Sequence, residues 1–267
     1  MKVLRAELRE AVRGLICGTD ELLHAVYMAS ADEACDAENV LFYNVGAGCF
    51  AHQSRVAMRF ERVFSEPPPP PRPLSASALH YQSYRSATRR DEFLGWKRRQ
   101  RLAAWTVACE PLRPLPSASS IWLHMKSGAC ETSAGRNEKP SWFGMSVTIS
   151  LPRRTVLNLA EVIKPVFDGI VAALHSHDGT MLEEVSHRLG EKLGVEAKQI
   201  AQELLDESRA VLGKRKLVHP WRDVVQWNPA DDRVVAGELT IRNNSDAELW
   251  GLSGELYEVE SKPIVKL

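Results

Sequence analysis

The chain has no surplus of either charge: 34 Lys and Arg face 34 Asp and Glu, for a formal net charge of zero. No chain-wide field therefore draws it toward nucleic acid or an anionic membrane, and any such binding must come from a local patch. No apolar run approaches the roughly 20 residues that span a bilayer, so no membrane partner is expected. The opening Met1-Lys-Val-Leu-Arg-Ala-Glu7 lacks the uninterrupted apolar stretch of a secretory signal, and a cytoplasmic protein is expected. Cysteine is scarce. Cys17, Cys35, Cys49, Cys109 and Cys130 are odd in number, widely spaced and form no Cys-x-x-Cys pair, which argues against a disulfide framework or a zinc site. Neither a Gly-x-Ser-x-Gly elbow nor a Walker loop occurs. His175-Ser-His177-Asp178 does not extend into His-x-His-x-Asp-His, and two histidines near a helix C-terminus also suit the negative end of its dipole.

What is present is material for a core, with 44% hydrophobic residues in a chain of 267, enough for one large domain or two small ones. The pattern predicts a helix over 3–29 interrupted near Gly18, then a strand over Asn39–Val45 ending at Gly46-Ala-Gly48, with Arg55–Phe64 returning beside it. Pro67–Pro71 reads as extended polyproline, serving as a spacer or as a ligand for a partner domain. Arg85, Arg89, Arg90, Lys97, Arg98, Arg99 and Arg101 fall in an expected helix that also carries Phe93 and Trp96. Two readings stay open for it: a nucleic-acid patch with Trp96 stacking on a base, or a solvated face with Phe93 and Trp96 turned inward. Further on, Ser120–Lys126 and Trp142–Leu151 have strand composition, Thr180–Leu193 and Glu196–Leu212 read as two helices about Gly194, and Val224–Ile241 and Glu248–Glu258 read as strands.

The organising stretch is Leu151–His175. Leu159, Val162, Ile163, Val166, Phe167, Ile170, Val171 and Leu174 recur every three or four residues, the stripe of a helix laid on a core. Asn158, Glu161, Lys164 and Asp168 share its other face, with Asn158 as N-cap and Pro165 inside the helix. The acidic pair Asp231-Asp232 opens a later strand. A carboxylate-bearing helix and a strand that begins with two aspartates can gather oxygen ligands for Mg²⁺, with Lys164 left to neutralise a phosphate. The alternative is an ordinary ion-pair ladder beside a turn.

At these residues the chain resembles the RusA family of Holliday-junction resolvases. The family's signature runs Asp-x-Asp-Asn-x-x-Lys-x-x-x-Asp-Ala-Leu on a helix that follows a strand, with an Asp-Asp pair opening the next strand. Lys164-Pro-Val-Phe-Asp168 and Asp231-Asp232 match it. Asn158 and Ala160 stand where the first two metal-binding aspartates belong, and Glu161 occupies the asparagine position.

The resemblance implies an α+β fold with a small mixed sheet and central helix over 117–267, a homodimer, Mg²⁺ dependence and cleavage of branched DNA. A helical insertion over 179–222 and an N-terminal extension over 1–110 would be additions to that core. Its site residues would be Lys164, Asp168, Asp231, Asp232 and Glu161, with Asp231, Asp232 and Glu161 as metal ligands. With two aspartates missing, the expected function is that of a catalytically impaired protein that binds DNA or a protein partner. The alternatives are an active Mg²⁺-dependent endonuclease and a structural subunit of a larger complex.

Overall fold

The computed structural model describes residues 2–29, 35–65, 80–112, 115–133, 142–152, 155–243 and 250–263, and the run Pro67–Pro71 lies outside them. The first part of the chain forms helix α1 (Lys2–Arg13), strand β1 (Glu21–Ala29), a π-helical turn at Asn39–Tyr43, and strands β2 (Ala57–Phe64), β3 (Tyr81–Thr88) and β4 (Trp96–Cys109). The middle forms α2 (Ala118–Ser127), β5 (Ala129–Thr132), β6 (Phe143–Leu151), α3 (Leu159–Ala173), β7 (Ser176–His177), α4 (Leu182–Leu193) and α5 (Ala197–Leu205). The last part forms β8 (Lys214–Arg215), β9 (Val218–Trp221), β10 (Val224–Trp227), a 3-10 turn at Asp231–Arg233, β11 (Val234–Asn243) and β12 (Trp250–Ser261).

The fold is α+β, as expected. Eight strands make one mixed sheet in the order β3-β1-β2-β11-β6-β12-β4-β5. β1 runs parallel to β2, and β6 parallel to β11, while the other neighbours are antiparallel. β2 pairs with β11 and β4 with β12, so strands from either side of residue 110 lie side by side in this sheet.

α3 crosses one face of the sheet. Leu159, Val162, Ile163, Val166, Phe167, Ile170 and Val171 are all fully buried, and Phe167 meets Phe60 of β2 with ring centroids 5.4 Å apart. Each such burial is worth about 1.5–3 kcal/mol, and together they set the helix's rotation and hence which side chains point away from the core. Asn158 caps its first turn, accepting from the Ala160 amide at 3.2 Å. α2 packs across α3 at Gly169, where an added Cβ would lie 2.5 Å from Ile121.

Several local expectations are overturned. The expected helix over 3–29 is α1 followed by β1, which lies between β3 and β2 next to one edge of the sheet. Ser120–Lys126 is helical because Ser117 and Ser120 form a capping box, and this tertiary setting overrides the strand preference of Ile121 and Trp122. Asn39–Tyr43 is a π-helical turn closed by the Asn44 amide on the Asn39 carbonyl at 2.9 Å. Leu41 and Phe42 are both buried there, and adjacent residues of a strand could not both reach one face. The Arg85–Arg101 stretch is not a helix but the end of β3, a turn and the start of β4. Two register shifts against β12, between Ala103 and Arg101 and between Arg101 and Arg98, put extra residues into β4 and break its two-residue alternation there.

The expected helical pair is present as α4 and α5, with Gly194 in the left-handed conformation between them (φ 67°). The following loop docks on α2 through Arg209, whose guanidinium donates to the carbonyls of Met125, Lys126 and Gly128 at 2.9–3.1 Å. All five cysteines are free thiols.

Candidate functional site

Burying the apolar stripe of α3 turns Lys164 and Asp168 outward, one turn apart. Lys164 does not form an exposed ladder of ions there; besides Asp168 on its own helix it reaches carboxylates from two other parts of the chain. Its Nζ lies 3.0 Å from Asp36, 3.1 Å from Asp168, 3.3 Å from Asp231 and 3.6 Å from Glu38. Asp36 and Glu38 precede the π-helical turn. That turn is anchored by Phe42, which meets Phe50 and Phe60 edge-on, and by the Leu41 carbonyl, which accepts from the Tyr84 hydroxyl at 2.6 Å. Asp231 sits in the 3-10 turn ahead of β11.

Four acids against one ammonium leave the cluster under-compensated. Glu38 carries the largest burden: it is 1% exposed, and neither of its carboxylate oxygens accepts a hydrogen bond. Burial pushes its carboxyl up to about 8, against the pull of Lys164 and with the push of Asp168, Asp36 and Asp231. Burial, then the charges of Asp168 and Asp36, raise Asp231 to about 7. Asp168 is raised by burial as well and shares a hydrogen bond with Asp231. Burial opposes the charge on Lys164, but Glu38, Asp168, Asp231 and Asp36 outweigh it and hold the ammonium well above the ordinary lysine range. At neutral pH the cluster therefore keeps protons that an added cation would replace.

Glu38 and Asp231 start from ordinary values of 4.5 and 3.8 and are raised on folding. The native state holds their protons more tightly, so the stability they contribute is full below the unfolded values and is lost as pH rises through about 7 and 8. The metal-free protein should accordingly melt at a lower temperature at about pH 9 than at about pH 6, a slope that saturating Mg²⁺ should flatten. A melting temperature that rises across that range without metal would contradict this.

Asp36, Glu38 and Asp231 each offer an oxygen, and these oxygens lie within 4.8 Å of one another. That is an all-oxygen donor set of the kind hard divalent cations take. A buried carboxylate without a hydrogen bond calls for a counter-charge, and the donor chemistry fits Mg²⁺ or Mn²⁺. Beside the cluster opens a cleft of about 470 Å³ to which Glu38 and Lys164 both contribute.

The structure thus brings Lys164, Asp168 and Asp231 together and leaves two expected residues aside. Asp232 is not among the three acids with converging oxygens. Glu161 is exposed, accepts from the Asn158 amide at 3.0 Å and lines the cleft instead. Asn158 is spent on structure: besides its cap it accepts from Ser54 at 2.7 Å and donates to the Ala47 carbonyl at 3.2 Å. Ala160 is buried.

Reading the sequence at 151–178 missed Asp36 and Glu38. A signal for them existed, since Asp36-Ala-Glu38-Asn39 repeats the Asp-x-acid-Asn order of the signature, displaced far upstream. His177 is held structurally: its Nε2 hydrogen-bonds the Thr180 carbonyl at 2.9 Å, and its Nδ1 accepts from the Leu217 amide at 3.1 Å.

The basic residues do not form one helix face. Arg89 and Arg90 follow β3, whose Thr88 pairs with Glu21 at the start of β1, the end of the sheet away from Asp231. Lys97, Arg98, Arg99 and Arg101 stand near the start of β4, which through β12 and β6 lies at the same end as Asp231. Arg98 pairs with Glu255 at 2.5 Å and Arg99 with Glu260. Arg85 reaches Nδ1 of the buried His24 at 3.3 Å. Trp96 is 3% exposed and donates to the Arg62 carbonyl at 2.6 Å, so it offers no face to a base.

No protein-family model, curated protein or solved structure matches the chain.

Proposed function

We propose that the chain is a divalent-metal-dependent phosphodiesterase acting on nucleic acid, with DNA as the expected substrate. The observation that carries this is Glu38, a fully buried carboxylate with no hydrogen bond, set among Asp36, Asp231 and Lys164 at the edge of an open cleft. The expectation of an impaired site rested on Asn158 and Ala160. Asp36 and Glu38 supply the two carboxylates that those positions lack.

Asp36, Glu38 and Asp231 would hold the cation. When bound, it supplies Lewis-acid polarisation of a phosphate and a nearby water. Lys164 offers its N–H groups to the phosphate as negative charge grows on it. In its carboxylate form Asp168, which shares a hydrogen bond with Asp231, would take the proton of the attacking water as the bond from phosphorus to the leaving sugar oxygen breaks, and that oxygen would take a proton from solvent. The exposed Lys97 and Arg101, at the same end of the sheet, would meet flanking phosphates.

The test is a Mg²⁺ titration with labelled duplex, single-stranded and four-way-junction DNA at low salt, following binding and cleavage together. Cleavage should require the metal. Asp231→Asn should cost more than the roughly 10–100-fold typical of losing an outer-shell partner, while Asp232→Asn should stay close to wild type. No metal-dependent cleavage of any substrate, or equal losses in the two variants, would refute the assignment.

A further inference from the structure

The cleft beside the cluster has a composition the cation does not need. Its wall on the side of Glu38 and Lys164 is charged, whereas its remaining lining includes Tyr43, Asn39, Asn44 and Glu161. Tyr43 closes the π-helical turn and is 73% exposed, although its neighbours Leu41 and Phe42 are fully buried. A ring so exposed, on a segment anchored by its buried neighbours, keeps a face open for stacking. π-Helical turns recur at functional sites because the wider turn redirects side chains, and here one turn places Glu38 at the cluster and Tyr43 in the cleft.

We infer that this cleft is a nucleobase subsite, which receives an unpaired base next to the phosphate at the acidic cluster and stacks it on Tyr43. The inference rests on the reading of the cluster as a phosphodiester site. At about 470 Å³ the cleft lies within the range of small-ligand pockets. The amides of Asn39 and Asn44 carry donors and acceptors, and the Glu161 carboxylate accepts from amino groups, so the rim can pair with the edge of a base. Nδ2 of Asn39 is already oriented by Asp36 at 2.6 Å, which ties the base-reading rim to a cation ligand. A base stacked inside a duplex has both faces covered and cannot present one to Tyr43. The substrate is therefore a single strand, or a junction or end whose base has left the stack.

The experiment measures binding of a labelled single-stranded oligonucleotide, in separate DNA and RNA arms, and of the same DNA sequence as duplex, all in Mn²⁺ at low salt. Binding of Mn²⁺ itself is read independently from its electron paramagnetic resonance signal. The wild-type protein should prefer the single strand. Tyr43→Ala should weaken that binding by roughly ten- to a hundredfold, and Tyr43→Phe should stay within about twofold, since the ring and not the hydroxyl does the stacking. Duplex and Mn²⁺ binding should not change. Should Tyr43→Ala keep wild-type affinity while Mn²⁺ still binds, the base subsite is wrong and the metal centre stands. Should Mn²⁺ fail to bind while strand binding depends on Tyr43, the subsite stands and the phosphodiesterase reading falls. Equal affinity of the wild-type protein for duplex and single strand would overturn the inference outright.

Discussion

Lys164→Met is expected to lower the melting temperature sharply in EDTA and to recover most of the loss when Mn²⁺ or Mg²⁺ is added. The ammonium is the only cation within 4.0 Å of Asp36, Asp168 and Asp231 among the described residues, and it also reaches Glu38. Removing one partner from a buried ionic group costs about 3–5 kcal/mol, because it strands the charges that remain. The Lys164 side chain is 27% exposed, which places the expected cost near the lower end, about 3 kcal/mol. For a chain of this size that is a fall of roughly 6–12 °C. The loss should be smaller at about pH 6 than at about pH 8.5, since Glu38 and Asp231 already hold protons at the lower pH and leave less charge to strand. A divalent cation supplies the missing charge directly, so the variant should bind Mn²⁺ more tightly than wild type even though cleavage is lost with the phosphate contact. Equal stability of Lys164→Met and wild type in EDTA would show that the cluster is solvated and needs no counter-charge.

Glu38→Gln is expected to act in the opposite direction on both quantities. The raised carboxyl of Glu38 means that, even with Lys164 counted, its surroundings disfavour the charged form. At about pH 6 the wild-type side chain is already protonated, and the substitution should change little. Above about pH 8 it is charged, buried and without a hydrogen bond, and an uncharged replacement should stabilise the metal-free protein by roughly 1–3 kcal/mol. The same change removes one of three converging oxygens, so Mn²⁺ affinity should fall by at least about tenfold. Melting curves and Mn²⁺ titrations of the two variants across this pH range form a matched pair. A residue kept at a cost to stability is kept for what it binds, and loss of stability in Glu38→Gln at high pH would remove that argument.

The local half of this site was legible. The apolar spacing of α3 predicts its buried face, its cap at Asn158 and the projection of Lys164 and Asp168 on the other side, because helix periodicity needs only neighbours in sequence. Strand composition likewise located β6 and most of β11 and β12. The failures share a cause. Val40, Leu41, Phe42 and Tyr43 are strand formers by composition, yet two adjacent side chains are drawn into one core, which a pleated strand cannot arrange. The basic start of β4 loses its alternation at its own bulges, where it carries extra residues against β12.

The sequence by itself determined the class of fold, the helix that carries Lys164 and Asp168, and the absence of a charge field or an obvious membrane-spanning run. Only the tertiary structure decided which carboxylates Lys164 meets. Asp36 is 128 residues from it and Asp231 is 67. They converge because β1 and β2 run parallel and β11 runs antiparallel to β2, which sets the segment after β1 and the turn before β11 at one end of the sheet, beside α3. Helix periodicity is a property of a few consecutive residues. The order of strands in a sheet depends on the burial of the whole chain, and the charge excess that defines this site exists only once that order is set.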